Sequence, residues 1–364
     1  MTRTRILLIA LLALAGLAGP AAAAPRLVPQ GWLGVTADGP FDPGDAGEWN
    51  RMARSGVETV RVAFRWYLIE PAPGRLDLAR TDRIVAAAAR RGMAVLPVIE
   101  NVPPWAATRP GDLAAPPRDP ATLGAFSAAL VRRYGPRGSF WRDNSRGPRR
   151  PIHAWQVLNE PNILGHWSEQ PPMPAYVAAL RGAAAGIRGA DPRATIVLAG
   201  LSNESWTALE QIYAAGARGL FDAVAVHPYT RRPVDVLRIL RLVRGVMAAN
   251  GDAALPLWVT ELSWPAAQGR PGWKVGIEVG ERRQARMLAI AMRKLYRSRR
   301  NLKLERVLWY TWISNEVGPS AFDWSGLRRT RPGGTVSMPA LKVFRQAARR
   351  LRGCAGSARA ARCG

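Results

Sequence analysis

Residues 155–162 read Trp155-Gln156-Val157-Leu158-Asn159-Glu160-Pro161-Asn162, an apolar run that halts at a polar pair and a proline. Residues 257–265 repeat the arrangement as Leu257-Trp258-Val259-Thr260-Glu261-Leu262-Ser263-Trp264-Pro265. Each stretch predicts a short buried strand with a glutamate where it stops. Outward from these two, short β-branched or apolar runs alternate with longer Ala/Leu/Arg stretches of helical periodicity. The runs fall at 33–36, 59–64, 94–99, 152–158, 195–198, 223–226, 257–260 and 307–311. The helical stretches fall at 46–55, 81–91, 121–134, 174–188, 205–215, 234–249, 278–299 and 339–352.

Several of these runs are apolar at nearly every residue, as in Ala94-Val95-Leu96-Pro97-Val98-Ile99, which suits a parallel sheet covered on both faces. Eight strand and helix units predict a closed α/β barrel, a single (β/α)8 TIM-barrel domain over residues 25–352. An open doubly wound sheet has less support, because no Gly-rich phosphate turn opens any helix. Segments 135–150 and 314–337, rich in Gly and Arg, are expected to be surface loops or insertions.

At the N-terminus, Arg3 and Arg5 precede an apolar run over residues 6–18, then Gly19-Pro20 and the small residues Ala21, Ala22, Ala23 and Ala24. That order reads as a signal peptide over residues 1–24, cut after Ala22 or Ala23, with an apolar core too short for comfortable membrane insertion. The expected product is secreted, extracellular or associated with a cell wall, with no stable membrane insertion. Both cysteines, Cys354 and Cys363, lie in a basic tail over residues 353–364, where they can close a small disulfide loop in an oxidising compartment. With three histidines in the chain and no two at ligand spacing, neither a metal nor an organic cofactor is expected.

The formal charge is +26, and two of those charges belong to Arg3 and Arg5. One source is attraction to an anionic partner such as an acidic glycan, a wall polymer or a membrane surface. The other is an arginine-rich composition spread over helix faces, as in Arg282-Arg283 and Arg297-Ser298-Arg299-Arg300, and this is the favoured origin. Nucleic-acid binding is not expected, since zinc-finger spacing, a recognition-helix pattern and an Arg/aromatic-interleaved strand are all missing.

In a (β/α)8 barrel, working residues gather at the C-terminal ends of the strands. Glu160 ends the fourth run and Glu261 the seventh, so two carboxyl groups can face each other across one rim. Glycoside hydrolysis needs such a pair: one carboxyl protonates the departing oxygen and the other attacks or stabilises the anomeric carbon. One must hold a proton while the other stays ionised, so their surroundings must differ. Arg61, on the second strand, is placed to keep one carboxylate charged, and Tyr229, after the sixth, to donate a hydrogen bond to it.

With these residues in place the chain resembles the clan A glycoside hydrolases, nearest to their family 39 and family 5 branches. Asn159-Glu160-Pro161 matches that clan's Asn-Glu-Pro motif and Thr260-Glu261 its nucleophile strand. Residues 66–74 resemble its second-strand loop, and His227-Pro228-Tyr229 its sixth-strand end. The resemblance runs over most of residues 31–345. It implies a retaining glycosidase acting on a β-linked poly- or oligosaccharide, with Glu160 as acid/base and Glu261 as nucleophile. It further implies Asn159 on the sugar 2-hydroxyl, Arg61 under the nucleophile, His227 in the site and Trp312 as the aromatic platform after strand eight.

Glu100 departs from the pattern, since a neutral residue or His is expected at the end of the third strand; there it can bind sugar hydroxyls or raise the acid's pKa. Trp66 is a further substrate-binding candidate, while Trp105 and Trp264 can equally be packing residues. Glu70 belongs to the loop structure and His153 to the stable face of the barrel, whereas His166 follows the Asn-Glu-Pro loop toward the cleft. Gly200-Leu201-Ser202-Asn203-Glu204 lacks the closing glycine of a nucleophile elbow. Two rivals remain: a catalytically silent carbohydrate-binding barrel, and a basic wall-associated protein that binds anionic polymers.

Overall fold

The computed structural model describes residues 25–37 and 41–353. The expected signal peptide and the Cys354–Cys363 loop lie outside the described residues. Eight strands form the central sheet: β1 Leu33–Thr36, β2 Thr59–Arg65, β3 Ala94–Glu100, β4 Ala154–Val157, β5 Thr195–Val197, β6 Val224–Val226, β7 Leu257–Val259 and β8 Leu304–Tyr310. All pair in parallel in the order β5-β4-β3-β2-β1-β8-β7-β6. Bridges from Val197 to Ala223 and from Leu201 to Val226 join the two outer strands and close the barrel.

Helices cover the outside: α1 Ala46–Arg54, α2 Trp66–Ile69, α3 Ala79–Ala89, α4 Pro120–Tyr134, α5 Ser139–Asp143, α6 Pro172–Ala190, α7 Ser205–Ala214, α8 Pro233–Ala249, α9 Glu281–Ser298 and α10 Pro339–Leu351. Proline in the first turn of α4, α6, α8 and α10 explains where these begin, since its missing N–H falls where a helix has no acceptor to offer. Among the described residues no helix is long and apolar enough to cross a membrane.

Strand alternation divides the apolar residues into two cores. Leu96, Val197, Ala223, Ala225, Trp258 and Leu308 fill the bore, while a much larger cluster lies between sheet and helices. Ala225 stands opposite Trp258 on the neighbouring strand, and side chains fill the bore as a packed core. Gly34 is one of the small ones: a Cβ there would stand 2.2 Å from the Thr59 carbonyl oxygen and 2.5 Å from a Leu308 methyl.

The two segments expected to be loops are more ordered than their composition suggests. Segment 135–150 contains α5, anchored by buried Phe140 and Trp141. Around 314–337, a strand Ile313–Ser314 (β9) pairs with Arg328–Arg331 (β10), which pairs with Gly334–Ser337 (β11), and a 3-10 turn spans Ala321–Trp324. Gly and Arg density concealed this small sheet. Arg328 is buried against Glu48 of α1, so it is a core residue and not a surface charge.

Candidate active site

The C-terminal ends of the strands surround a cleft of about 550 Å³ whose lining includes Arg61, Glu100, Asn159, Glu160, Tyr229 and Glu261. Arg61 organises its floor. Its Nη1 donates to Glu261 Oε1 at 2.6 Å, its Nη2 to Asn159 Oδ1 at 2.7 Å and its Nε to Gln156 Oε1 at 2.7 Å. Gln156 is itself held, its amide donating to the Leu198 carbonyl at 3.1 Å. A polar residue inside an apolar strand run was the signal for Gln156, which sequence reasoning passed over.

Glu261 therefore receives a charged donor on one oxygen and, at 2.7 Å on the other, the Tyr229 hydroxyl. Burial, followed by the nearby Glu261 charge, pushes the Tyr229 phenol well above its ordinary value. It stays a protonated donor at any working pH.

Glu160 sits in a different environment. Its Oε1 accepts from Ser202 and lies 2.7 Å from His227 Nδ1, and its Oε2 lies 3.2 Å from His166 Nε2. Burial pushes the carboxyl up, but His227, His166 and Ser202 outweigh it and hold Glu160 low, at about 2. His227 is fully buried and spans both halves of the site, since its Nε2 meets Thr260 Oγ1 at 3.0 Å. Gly200 makes room for it: a Cβ there would be 2.0 Å from His227 Nε2. Ser202 was visible on the fifth strand's end but was weighed only as a nucleophile; its hydroxyl serves Glu160.

The backbone presenting Glu160 is unusual. Leu158 and Glu160, on either side of Asn159, have φ of 65° and 44°. Left-handed backbone at non-glycine residues is uncommon and gathers at functional sites. Glu160 N–H donates to the Gly200 carbonyl at 3.1 Å, which ties this turn to the end of β5.

Two expected sugar-binding residues, Trp312 and Trp66, lie buried and outside the lining of the cleft. Trp312 is completely buried; its indole donates to Glu48 Oε2 at 2.9 Å, outside the barrel. Strand β8 stops at Tyr310, and the chain then turns so that Trp312 faces α1. Trp66 is likewise buried, stacked on Phe126 with centroids 5.1 Å apart and donating to Glu70. The Glu70 carboxylate also accepts from the Gly74 N–H, as a loop-stabilising residue should. Trp264 is a packing residue that donates to the Thr230 carbonyl. Besides Tyr229, the aromatic groups that line the cleft are Tyr310, Phe322 and Trp273, the last 56% exposed. Trp273 is positioned by its N–H donating to Pro319 and its carbonyl accepting from Ala321, contacts between two long loops that no local pattern reveals.

Among the described residues, Glu160, His227 and Glu261 form a group whose potential metal-ligand atoms lie within 4.8 Å of one another. Arg61 and Tyr229 already bond Glu261, and Glu160 and Thr260 already meet both nitrogens of His227. The donor set is thus committed to hydrogen bonds within the protein.

No family model and no curated protein sequence matches this chain. Solved structures do match its fold. A family 39 glycoside hydrolase from Bacteroides cellulosilyticus WH2 superposes with a TM-score of 0.67 at 19% identity, over 90% of this chain and 64% of that one. A monomeric beta-xylosidase from Caulobacter crescentus CB15 gives 0.63 at 19%, over 89% and 69%. A glucosidase from Croceicoccus marinus gives 0.63 at 17%, over 92% and 69%. These structures share this chain's barrel fold, and the chain spans about two thirds of their length.

Proposed function

We propose that the protein is a retaining glycoside hydrolase, with Glu160 as acid/base and Glu261 as nucleophile, acting outside the cytoplasm on a β-linked poly- or oligosaccharide. The observation that carries this reading is the pairing of two carboxylates with oxygens within 4.8 Å across one barrel mouth. Retaining enzymes hold their carboxyl groups about 5–5.5 Å apart, whereas inverting ones leave room for water at about 6.5–9.5 Å.

In the first step an oxygen of Glu261 bonds to the anomeric carbon as the glycosidic C–O bond breaks, and Glu160 gives its proton to the departing oxygen. In the second step Glu160 takes a proton from water, whose oxygen displaces Glu261 and frees the sugar. Arg61 and Tyr229, each donating to one oxygen of Glu261, hold it oriented. The Asn159 side-chain oxygen is used by Arg61, so its NH2 is the group available to a sugar hydroxyl.

Glu160 is an ionised carboxylate in the free site, so a proton has to reach it before the first step. His166, 48% exposed on its side chain and 3.2 Å from Oε2, connects that oxygen with solvent. The test is release of reducing ends from a panel of plant, fungal and bacterial-wall glycans by the wild type and by Glu261→Gln. Unchanged release in the variant would overturn the assignment, and glycan binding without turnover in the wild type would establish the silent-barrel rival.

A further inference from the structure

The positive charge of the molecule is unevenly placed. α9 carries six Lys/Arg against one acidic residue in 18 residues, and α10 four against none in 13. On the same barrel α8 has three against one in 17 residues, and α6 two against none in 19. α9 and α10 pack side by side. They bury Leu288, Met292, Leu341 and Phe344 and leave Arg282, Arg286, Arg293, Arg297, Arg349 and Arg350 exposed.

The ion pairs found on this flank, Arg329 with Glu281 and Arg352 with Glu58, use other arginines. Two of the exposed sets, Arg282/Arg286 and Arg293/Arg297, are like-charge neighbours four residues apart, an arrangement that costs a helix about 0.2–0.5 kcal/mol per pair. Arg345, between them and α1, is held below its ordinary pKa by burial and then by Arg51, Arg328, Arg349 and Arg54. A face that only needed to be soluble would mix its signs.

Between the helices runs a groove of about 260 Å³ with Met292, Tyr296, Val343 and Ala347 on its floor and Arg293, Arg297 and Arg350 at its edges. An 18-residue helix is about 27 Å long, so the cations form a band rather than a point. Its occupant is therefore linear. A bilayer fits less well, because none of the exposed large apolar side chains belongs to α9 or α10 and an interfacial helix needs such anchors. Neither helix lines the cleft.

We propose that the α9–α10 face binds a linear acidic polysaccharide, its carboxylates paired with the exposed guanidiniums and its chain lying along the groove. The choice of a polysaccharide rests on the glycosidase reading, and the binding itself does not require turnover. Held on the flank, such a polymer keeps the enzyme close to a glycan matrix while the cleft stays open.

The test is affinity for polygalacturonate, measured across a salt series, for the wild type and two variants that remove equal charge. One carries Arg286→Gln, Arg293→Gln, Arg297→Gln and Arg350→Gln; the other carries Arg132→Gln, Arg181→Gln, Arg238→Gln and Arg241→Gln on other helices. The first should bind at least about tenfold more weakly at low salt, with a shallower salt dependence. The second should stay within about twofold of wild type. Arg293→Gln with Arg297→Gln alone serves as a milder version should the fourfold variant fold poorly. Equal loss in both fourfold variants, equal binding to neutral dextran, or tighter binding to duplex DNA or to phosphatidylglycerol vesicles would overturn the proposal. A wild type that cleaves no glycan yet shows this pattern would sink the glycosidase reading and leave the face standing.

Discussion

Arg61 with Glu261 and Arg328 with Glu48 are both buried ion pairs, with closest approaches of 2.6 and 2.9 Å. Around Glu48 the hydrogen bonds close inward, and the partly exposed Arg51 stands 3.5 Å away at its edge. Trp312 Nε1, Arg328 Nε and the Thr335 hydroxyl all donate to it, and Arg328 spends its remaining nitrogens on Ser337 and Thr335. Glu261 has two such donors, Arg61 and Tyr229, but also borders the cleft, with Glu160 across it. The Arg328–Glu48 pair ties α1 to the β10–β11 hairpin; the Arg61–Glu261 pair lines an open cleft. An ion pair becomes a site through what it leaves open, not through its own strength.

The sharpest way to break this contrast is to neutralise each glutamate or its partner. Glu261→Gln should lower turnover by about four orders of magnitude, ~5 kcal/mol of barrier, with unfolding free energy changed far less; reducing-end assays and denaturant melts read the two effects. Arg328→Met removes the buried cation from Glu48 and leaves only the partly exposed Arg51, 3.5 Å away, so about 3 kcal/mol of stability should be lost while kcat of the folded fraction holds. A fall in kcat at unchanged stability would make the sealed pair part of the site.

Glu160 offers a pH test. Its folded value of about 2 lies below the ordinary 4.5. Its contacts therefore stabilise the protein above that window, and the contribution disappears as pH falls from 4.5 through about 2. Over that interval Glu160→Gln should lose less stability than wild type, by on the order of 2 kcal/mol, in thermal melts run from pH 6 down to about pH 2. Parallel curves would show that the histidine contacts do not hold the carboxyl low.

The smallest effect separates two tryptophans. Trp273→Ala should raise KM for a cleaved oligosaccharide about fivefold, ~1 kcal/mol, with melting nearly unchanged. Trp312→Phe should do the reverse, lowering stability while KM stays the same. The opposite pattern would return the platform to Trp312.

Much of this was legible because parallel barrels repeat. A short β-branched or apolar run, a rim residue and a helical stretch recur eight times, so counting alone set Glu160 at the fourth strand and Glu261 at the seventh. Arg61 and Tyr229 followed from the same count. Gln156 and Ser202 were visible but not assigned, since a lone amide or hydroxyl acquires a role only once its partner is known. Trp312 misled because its place after strand eight says nothing about which way the chain turns there.

The sequence by itself determined the number and order of the strand and helix units, because periodicity and strand length are local properties of the chain. It also determined which residues stand at the strand ends. Tertiary structure alone decided that His166, His227 and Ser202 converge on one carboxylate and that Trp273, not Trp312, reaches the cleft. It alone gathered the exposed arginines of α9 and α10 into one face. Those outcomes depend on distances between segments far apart in the chain, which only the closed barrel and its packed loops supply.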